Sequence, residues 1–443
     1  MSVVIKFGGT SVADAAAFEN VARIVASERD AAPVVVVSAM SGVTDSLLAA
    51  TDIAALENVF ERHRAVAHAL LDAPSAAAFI DQLREAEDQI AALLRSLADY
   101  KSLKDAIVSF GETLSSTLLA AVLNQAGTRA RQVDARRCII TDEEFTSAAP
   151  LLAETFAHSK SELVPVLESG EVPVLGGFIG STRTGVTTTL GRGGSDYTAA
   201  LIGAALGVSE IQIWTDVTGV LTADPRVVPQ AQTIERLSYG EAAELAYFGA
   251  KVLHPKTIQP AIEHAIPVRI CNSRAPHEPG TLVGPESETS PRTIKAIAHK
   301  LGVTTVQITS ARMLGAYGFL RALFEVFDRH RTVVDVVTTS EVSVSLSLDD
   351  ASSLPAIVAE LESLGTVRVE KGRAIICVVG EGLRGTPGIA ARVFSTISDI
   401  NVTLISQGAS SVNFTFAIEE ERVKEAVTRL HEEFFATKRH VAQ

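Results

Sequence analysis

The chain has 443 residues, 47% of them hydrophobic and 21% charged, with a net charge of −13. That balance excludes a disordered or fibrous chain, and the length leaves room for roughly two to four domains. The charge argues against a surface built to hold nucleic acid or an anionic membrane.

In chain order, Val3-Val4-Ile5 and Pro33 to Val37 read as buried strands of a parallel sheet, with helical spacing over Ala13 to Ala26 between them. Residues 46–102 are rich in Ala, Leu, Glu and Arg and read as a helical section. Ala106 to Val108, Val172 to Leu175 and Ile211 to Trp214 read as further strands, and Tyr197 to Leu206 as an apolar helix. This rhythm predicts an α/β sandwich over 1–285. A turn-rich stretch, Glu278-Pro279-Gly280 and then Gly284 to Pro291, marks a domain boundary. Beyond it the chain repeats itself at an offset of 70 residues, Gly318 matching Gly388, Phe324 matching Phe394 and Ser340 matching Ser410. Two small α+β units, 294–374 and 375–443, explain the repeat most economically. No apolar run reaches the roughly 20 residues of a membrane span. The short run ending at Lys6 has no signal-peptide core. Cys138, Cys271 and Cys377 stand too far apart for a disulfide framework. The sequence therefore predicts a soluble, cytoplasmic protein.

Several stretches carry chemistry. Lys6-Phe7-Gly8-Gly9-Thr10-Ser11 follows the first strand directly. Its glycines let backbone N–H groups approach an anion, and Thr10 or Ser11 suits the N-cap of the next helix. An ordinary strand-to-helix turn would explain the glycines but not Lys6. Thr187 to Asp196 holds a second glycine loop, Gly191-Arg192-Gly193-Gly194-Ser195-Asp196, before an apolar helix. Arg192 can hold a carboxylate through two parallel hydrogen bonds, and Asp196 is favoured in a first helical turn. Asp216 follows a buried strand in Trp214-Thr215-Asp216, a common place for a ligand contact. Lys251 stands beside a glycine in Phe248 to Pro255, where His254 reads as a packed histidine. Glu112, in Ser109-Phe110-Gly111-Glu112, is a ligand candidate or a helix N-terminal acid. No P-loop, His-Arg-Asp loop or complete dinucleotide fingerprint is present, which argues against a protein kinase or a hydride-transfer enzyme.

Together these residues resemble the aspartokinase family. The resemblance rests on Lys6 to Ser11, Ser109 to Glu112, Thr189 to Asp196, Trp214 to Asp216 and Gly249 to Pro255, and it spans nearly the whole chain. It implies an amino-acid-kinase fold, an αβα sandwich around a mostly parallel sheet, followed by two ferredoxin-like ACT units. In that family one ACT unit is commonly inserted in the other. The implied reaction is ATP-dependent phosphorylation of the β-carboxylate of aspartate, on the way to lysine, threonine and methionine. By resemblance, Lys6 and Lys251 neutralise the phosphates, with Gly8, Gly9 and Thr10 in the cradle, and Asp196 orients the lysines. Arg192 holds the α-carboxylate of aspartate and Glu112 its ammonium, with Thr44 and Ser195 beside the substrate. Thr215, Asp216, Leu221 and Arg226 hold the nucleotide. Magnesium bridges phosphates, and no protein cage for it is visible. The regulatory half is similar to the lysine-inhibited, single-function branch at Met313, Ala316, Gly318, Phe319, Leu320, Val334, Asp335, Ser340 and Glu341. Gly315 and Ala316 replace more polar residues there. Ser406 to Asn413 is similar to threonine-sensing relatives, which makes threonine a second effector candidate. A homodimer is the implied assembly. Two other readings stay open: an amino-acid kinase acting on glutamate, acetylglutamate, carbamate or a nucleotide, and a non-catalytic amino-acid sensor.

Overall fold

The computed structural model describes residues 2–96, 100–249, 253, 255–285, 293–315 and 317–436. These divide into two compact units. Among them, the first takes 2–220, 235–239 and the residues from 253 to 285; the second takes 221–234, 240–249 and the residues from 293 on. Lys251, His254 and Ala316 lie outside the described residues.

The first unit begins with β1 (Val3–Phe7), α1 (Ala15–Ser27), β2 (Pro33–Val37), α2 (Val43–Ala49), α3 (Glu57–Leu70), α4 (Ala73–Leu94) and α5 (Tyr100–Gln125). It continues through β3 (Ala130–Gln132), β4 (Ile140–Thr141), α6 (Leu152–Glu168), β5 (Val172–Gly176), β6 (Ile179–Thr182), β7 (Thr187–Thr189), α7 (Gly194–Leu206) and β8 (Glu210–Thr215). Then come β9 (Arg236–Ser238), α8 (Tyr239–Tyr247), α9 (Gln259–Glu263), β10 (Val268–Asn272) and β11 (Thr281–Gly284). From Gly240 on, α8 belongs to the second unit. Eight strands form one sheet in the order β3-β5-β2-β1-β8-β10-β11-β9, and only β10 and β11 pair antiparallel. Both β1 and β2 are buried along their whole length, which is why Val3 to Ile5 and Pro33 to Val37 read as apolar runs. Val3, Ile5 and Phe7 join Val35 and Val37 in a core shared with α1, α3, α4 and α5. Alternation along the strand turns Lys6 to the other face, where α7 packs.

Two local expectations fail here. Ala106 to Val108 is no strand: it lies inside α5, a helix of 26 residues. A helix buried on nearly every side loses its polar stripe, so a short apolar run within it cannot be told from a strand. One 18-residue window of α5 is apolar enough to cross a membrane, but 72% of it is buried inside the protein, as a core helix requires. Neither Thr10 nor Ser11 caps α1. Gly9–Val12 forms a 3-10 turn, and Asp14 caps the helix by accepting from Ala17 N at 3.0 Å. Ser11 instead donates to Ser273 Oγ at 2.9 Å.

The second unit is built from β12 (Ala296–Thr309), α10 (Phe319–Arg329), β13 (Val337–Thr339), β14 (Ser343–Leu348), α11 (Leu354–Leu361), β15 (Thr366–Val379), α12 (Ile389–Thr396), β16 (Leu404–Gln407), β17 (Asn413–Glu419) and α13 (Val423–Phe435). Its strands form one sheet, β13-β14-β12-β15-β17-β16. The 14-residue strands β12 and β15 each serve two halves. From Val303 on, β12 pairs with β14 and with the start of β15, over a core from α10 and α11. Its Ala296 to Lys300 pairs with the end of β15, which pairs with β17, over a core from α12 and α13. Each half therefore has the strand pattern of a ferredoxin-like unit, and the position between 374 and 375 falls inside β15. Gly318 and Gly388, the repeat positions, are the N-caps of α10 and α12, with φ of 80° and 82°.

Residues 221–234 pack on the second half. Ala223 and Val228 enter its core, Ile297 N donates to Thr222 O at 2.8 Å, and Thr222 Oγ1 lies 2.9 Å from His431 Nε2.

Candidate active site

The first unit holds a cleft of about 510 Å³, and Lys6, Gly9, Thr44, Glu112, Arg192, Ser195 and Asp196 all line it. Residues separated by more than a hundred positions meet there because the loops after β1, β2 and β7 end at the same place.

The first side of the cleft is β1 and the turn after it. Lys6 is nearly buried, and its Nζ lies 2.6 Å from Asp196 Oδ1. A buried ammonium needs such a partner, because desolvating it alone is costly. Gly8 N donates to the Trp214 carbonyl at 3.1 Å, which sets the turn beside the end of β8. A Cβ on Gly9 would stand 2.8 Å from the Ala39 carbonyl oxygen. That close approach explains the glycine and brings the loop Ser38 to Gly42 against the first turn; Ser41 N donates to Gly9 O at 3.1 Å. Thr10 is exposed at the same end.

The second side is the N-terminus of α7. Gly193 caps the helix with φ of 76°, a left-handed conformation, and a Cβ there would meet Thr257 Cγ2 at 2.6 Å. Any other residue would move the turn that presents Ser195 and Asp196. Arg192 is exposed and, among the described residues, makes no ion pair. The helix end and this guanidinium put positive charge on this side of the cleft.

The third side is α5. Glu112 is 3% exposed and accepts from the Ala39 N–H. Burial pushes its carboxyl up to about 8. Its Oε2 is buried and has no hydrogen-bond partner among the described residues. Two turns earlier stand Lys104 and Asp105, which sequence reasoning missed. Asp105 is 1% exposed and accepts from Thr146 N at 2.8 Å, Thr189 N at 3.0 Å and Thr189 Oγ1 at 2.8 Å. Burial still raises its pKa. It fastens the end of β7, just before Gly191, to α5. A Lys-Asp pair in an apolar stretch was the available signal, hidden by the reading of a strand.

The remaining expected residues lie elsewhere. Thr215 ends β8 and Asp216 follows it, at the sheet end that also carries Gly8, and Thr215 Oγ1 donates to Asp216 Oδ1 at 3.3 Å. Leu221 and Arg226 belong to the second unit. Arg226 is well exposed and grips Asp224 with two bonds, Nε to Oδ1 at 3.0 Å and Nη2 to Oδ2 at 2.6 Å. Of the expected effector residues, Met313, Phe319 and Val334 pack against the core of the first half. Leu320, Ser340 and Glu341 are exposed. Asp335 is half-buried. Burial and the neighbouring Asp349 carboxyl push it up to about 7.

Among the described residues, no three carboxylate, histidine or thiol groups converge on a metal position.

Residues 1–272 match the amino acid kinase family, and residues 376–434 match the ACT domain. The chain is 42% identical to the chloroplastic aspartokinase 3 of Arabidopsis thaliana, over 99% of this chain and 82% of that one. It is also similar to E. coli aspartokinase III solved with aspartate and ADP in an R state, with a TM-score of 0.82, 37% identity, and 98% and 100% of the two chains covered. The same enzyme solved with lysine and aspartate in a T state gives a TM-score of 0.82 and 38% identity, covering 98% and 99%.

Proposed function

The chain belongs to the aspartokinase family, and on that premise we propose how its residues phosphorylate aspartate and how lysine restrains them. The observation that carries the reading is Glu112. A carboxylate at the wall of the cleft, buried, with one oxygen unpartnered, is a seat for a cation. Arg192, on the opposite loop, is a free guanidinium. One seat of each sign suits a free amino acid, with Glu112 on the ammonium and Arg192 on the α-carboxylate. Thr44 and Ser195 border the space left for the side chain.

The acceptor is the β-carboxylate, already ionised at neutral pH, so no general base is needed. One of its oxygens attacks the γ-phosphorus of ATP, the bond to the bridging oxygen breaks, and ADP leaves with that electron pair. Such transfers depend mostly on positioning and on neutralising phosphate charge. Lys6 supplies positive charge on one side, steadied by Asp196, with Gly8, Gly9 and Thr10 forming the backbone cradle. Lys251 supplies it on the other. Thr215, Asp216, Leu221 and Arg226 hold the nucleotide. The described residues offer a divalent cation no cage, so magnesium would arrive with the nucleotide phosphates.

Lysine acts at the first half of the regulatory sheet. Asp335 and Glu341 take its two ammonium groups, with Met313, Ala316, Gly318, Phe319, Leu320, Val334 and Ser340 around it. Threonine is the second effector candidate. A homodimer is the assembly that goes with this reading. The enzyme works in the cytoplasm, at the first step towards lysine, threonine and methionine.

The test is an ATP-dependent assay that traps the acyl phosphate with hydroxylamine, run over aspartate, glutamate and acetylglutamate, with lysine, threonine and both added. Aspartate alone should give hydroxamate, and lysine should suppress it. Hydroxamate from another acceptor would point to a different amino-acid kinase. Lys6→Ala should lower kcat by about a hundred- to a thousandfold; unchanged turnover would overturn its assignment.

A further inference from the structure

From Gly240 on, α8 belongs to the unit of the regulatory sheet; Ala242 and Leu245 are buried in its middle, and polar contacts hold its two ends. At the start, Lys295 Nζ meets Glu241 Oε2 at 2.7 Å, both side chains buried. At the finish, the Tyr247 hydroxyl donates to Asp335 Oδ1. The Lys300 ammonium lies over the Tyr247 ring, 4.5 Å from its centroid, and pairs with Asp349. Just beyond the helix, a Cβ on Gly249 would stand 2.7 Å from the His299 carbonyl oxygen, so the chain there runs tight against β12.

Asp335 is the acid assigned above to an effector ammonium, and it already has company. One oxygen takes the Tyr247 hydroxyl. The other, Oδ2, is buried and meets no donor among the described residues. The Asp349 carboxyl beside it can bond it only by sharing a proton. The charged and titratable groups facing Asp335 are thus Tyr247 from α8, Asp349 after β14, and Lys300 from β12 through Asp349. An ammonium brings a full positive charge to a carboxylate where a hydroxyl brings only a dipole, so it is the stronger partner.

We propose that Tyr247 is a built-in competitor for the effector: its hydroxyl holds the Asp335 seat, and an ammonium-bearing effector enters by displacing it, which releases the end of α8 from the regulatory sheet. The proposal rests on the effector reading above. Tyr247 here is a positioning residue and touches neither substrate. Its release matters because Lys251 follows only four residues later. Effector affinity is taxed by the fraction of protein whose seat is occupied.

The test uses the full-length chain and lysine, with binding measured by calorimetry. Tyr247→Phe removes the hydroxyl and keeps the ring under Lys300. Lysine should then bind about three- to tenfold tighter, because one hydrogen bond no longer competes for the seat. Unchanged or weaker binding by a folded variant overturns the proposal. In the wild type, saturating lysine should speed amide exchange in residues 240–249, and Tyr247→Phe should exchange faster before lysine is added. No change in wild-type exchange also overturns it. A wild type that binds no lysine at all sinks the effector reading itself, which separates that failure from this one.

Discussion

Glu112 and Asp335, one in each unit, are both pushed above the usual carboxylate range by burial, to about 8 and about 7. They differ in what faces them. Glu112 has an oxygen with no partner and a cleft beside it. Asp335 is already occupied by Tyr247 and crowded by Asp349. The first seat stands ready for a ligand charge, so binding spends little on rearrangement. The second must be vacated first. A site that waits gives affinity, and a site that must be emptied couples affinity to a structural change.

The largest way to break this contrast is Glu112→Gln. Losing one charge-assisted bond to an ammonium should lower kcat/KM for aspartate by about 10- to 100-fold, with KM for ATP nearly unchanged. An unchanged KM for aspartate would remove Glu112 from the substrate. Asp335→Asn should weaken lysine inhibition less, by about tenfold, because part of the seat's strength is spent against Tyr247; equal losses at both sites would erase the distinction. Acidity sharpens the contrast further. Below about pH 8 Glu112 carries a proton that an ammonium must expel, so KM for aspartate should fall as pH rises towards 8. Lysine inhibition should tighten through a lower window, near pH 7. Both carboxyls bind protons more tightly folded than unfolded, so between about pH 5 and 8 the folded chain holds more protons and stability declines as pH rises. Flat profiles in calorimetry and kinetics would contradict both assignments. Asp105→Asn should cost about 1–3 kcal/mol in denaturant unfolding, because a group that accepts three bonds becomes one that also donates. The smallest effect belongs to Arg226→Ala. Its exposed ion pair with Asp224 should leave the melting temperature unchanged, while KM for ATP rises if Arg226 holds nucleotide.

The sequence made some of this legible and hid the rest for physical reasons. Lys6 to Ser11 and Gly191 to Asp196 stand out because loops that face a ligand carry glycines and charges in one short stretch. Val3 to Ile5 of β1 and the whole of β2 stand out because burial on both faces leaves apolar runs. Asp105 stays hidden because it works across space, from α5 to Thr146 and Thr189. The packing of 221–234 within the second unit includes Thr222 meeting His431, a pairing no local pattern announces. Tyr247 with Asp335 is a third such case.

The shared strands β12 and β15 have a consequence for synthesis. Residues Ala296 to Lys300 complete the second half of the sheet, yet they leave the ribosome long before Asn413 to Glu419, which close that half from the other side. The first half closes within its own stretch, from Val303 to the start of β15, whereas the second half cannot finish until the chain has been made through β17. Such distant pairing slows folding and leaves strand edges uncovered meanwhile. A fragment beginning at residue 376, where the ACT match starts, would lack the edge strand supplied from 296–300, and it should aggregate or borrow that strand from another molecule.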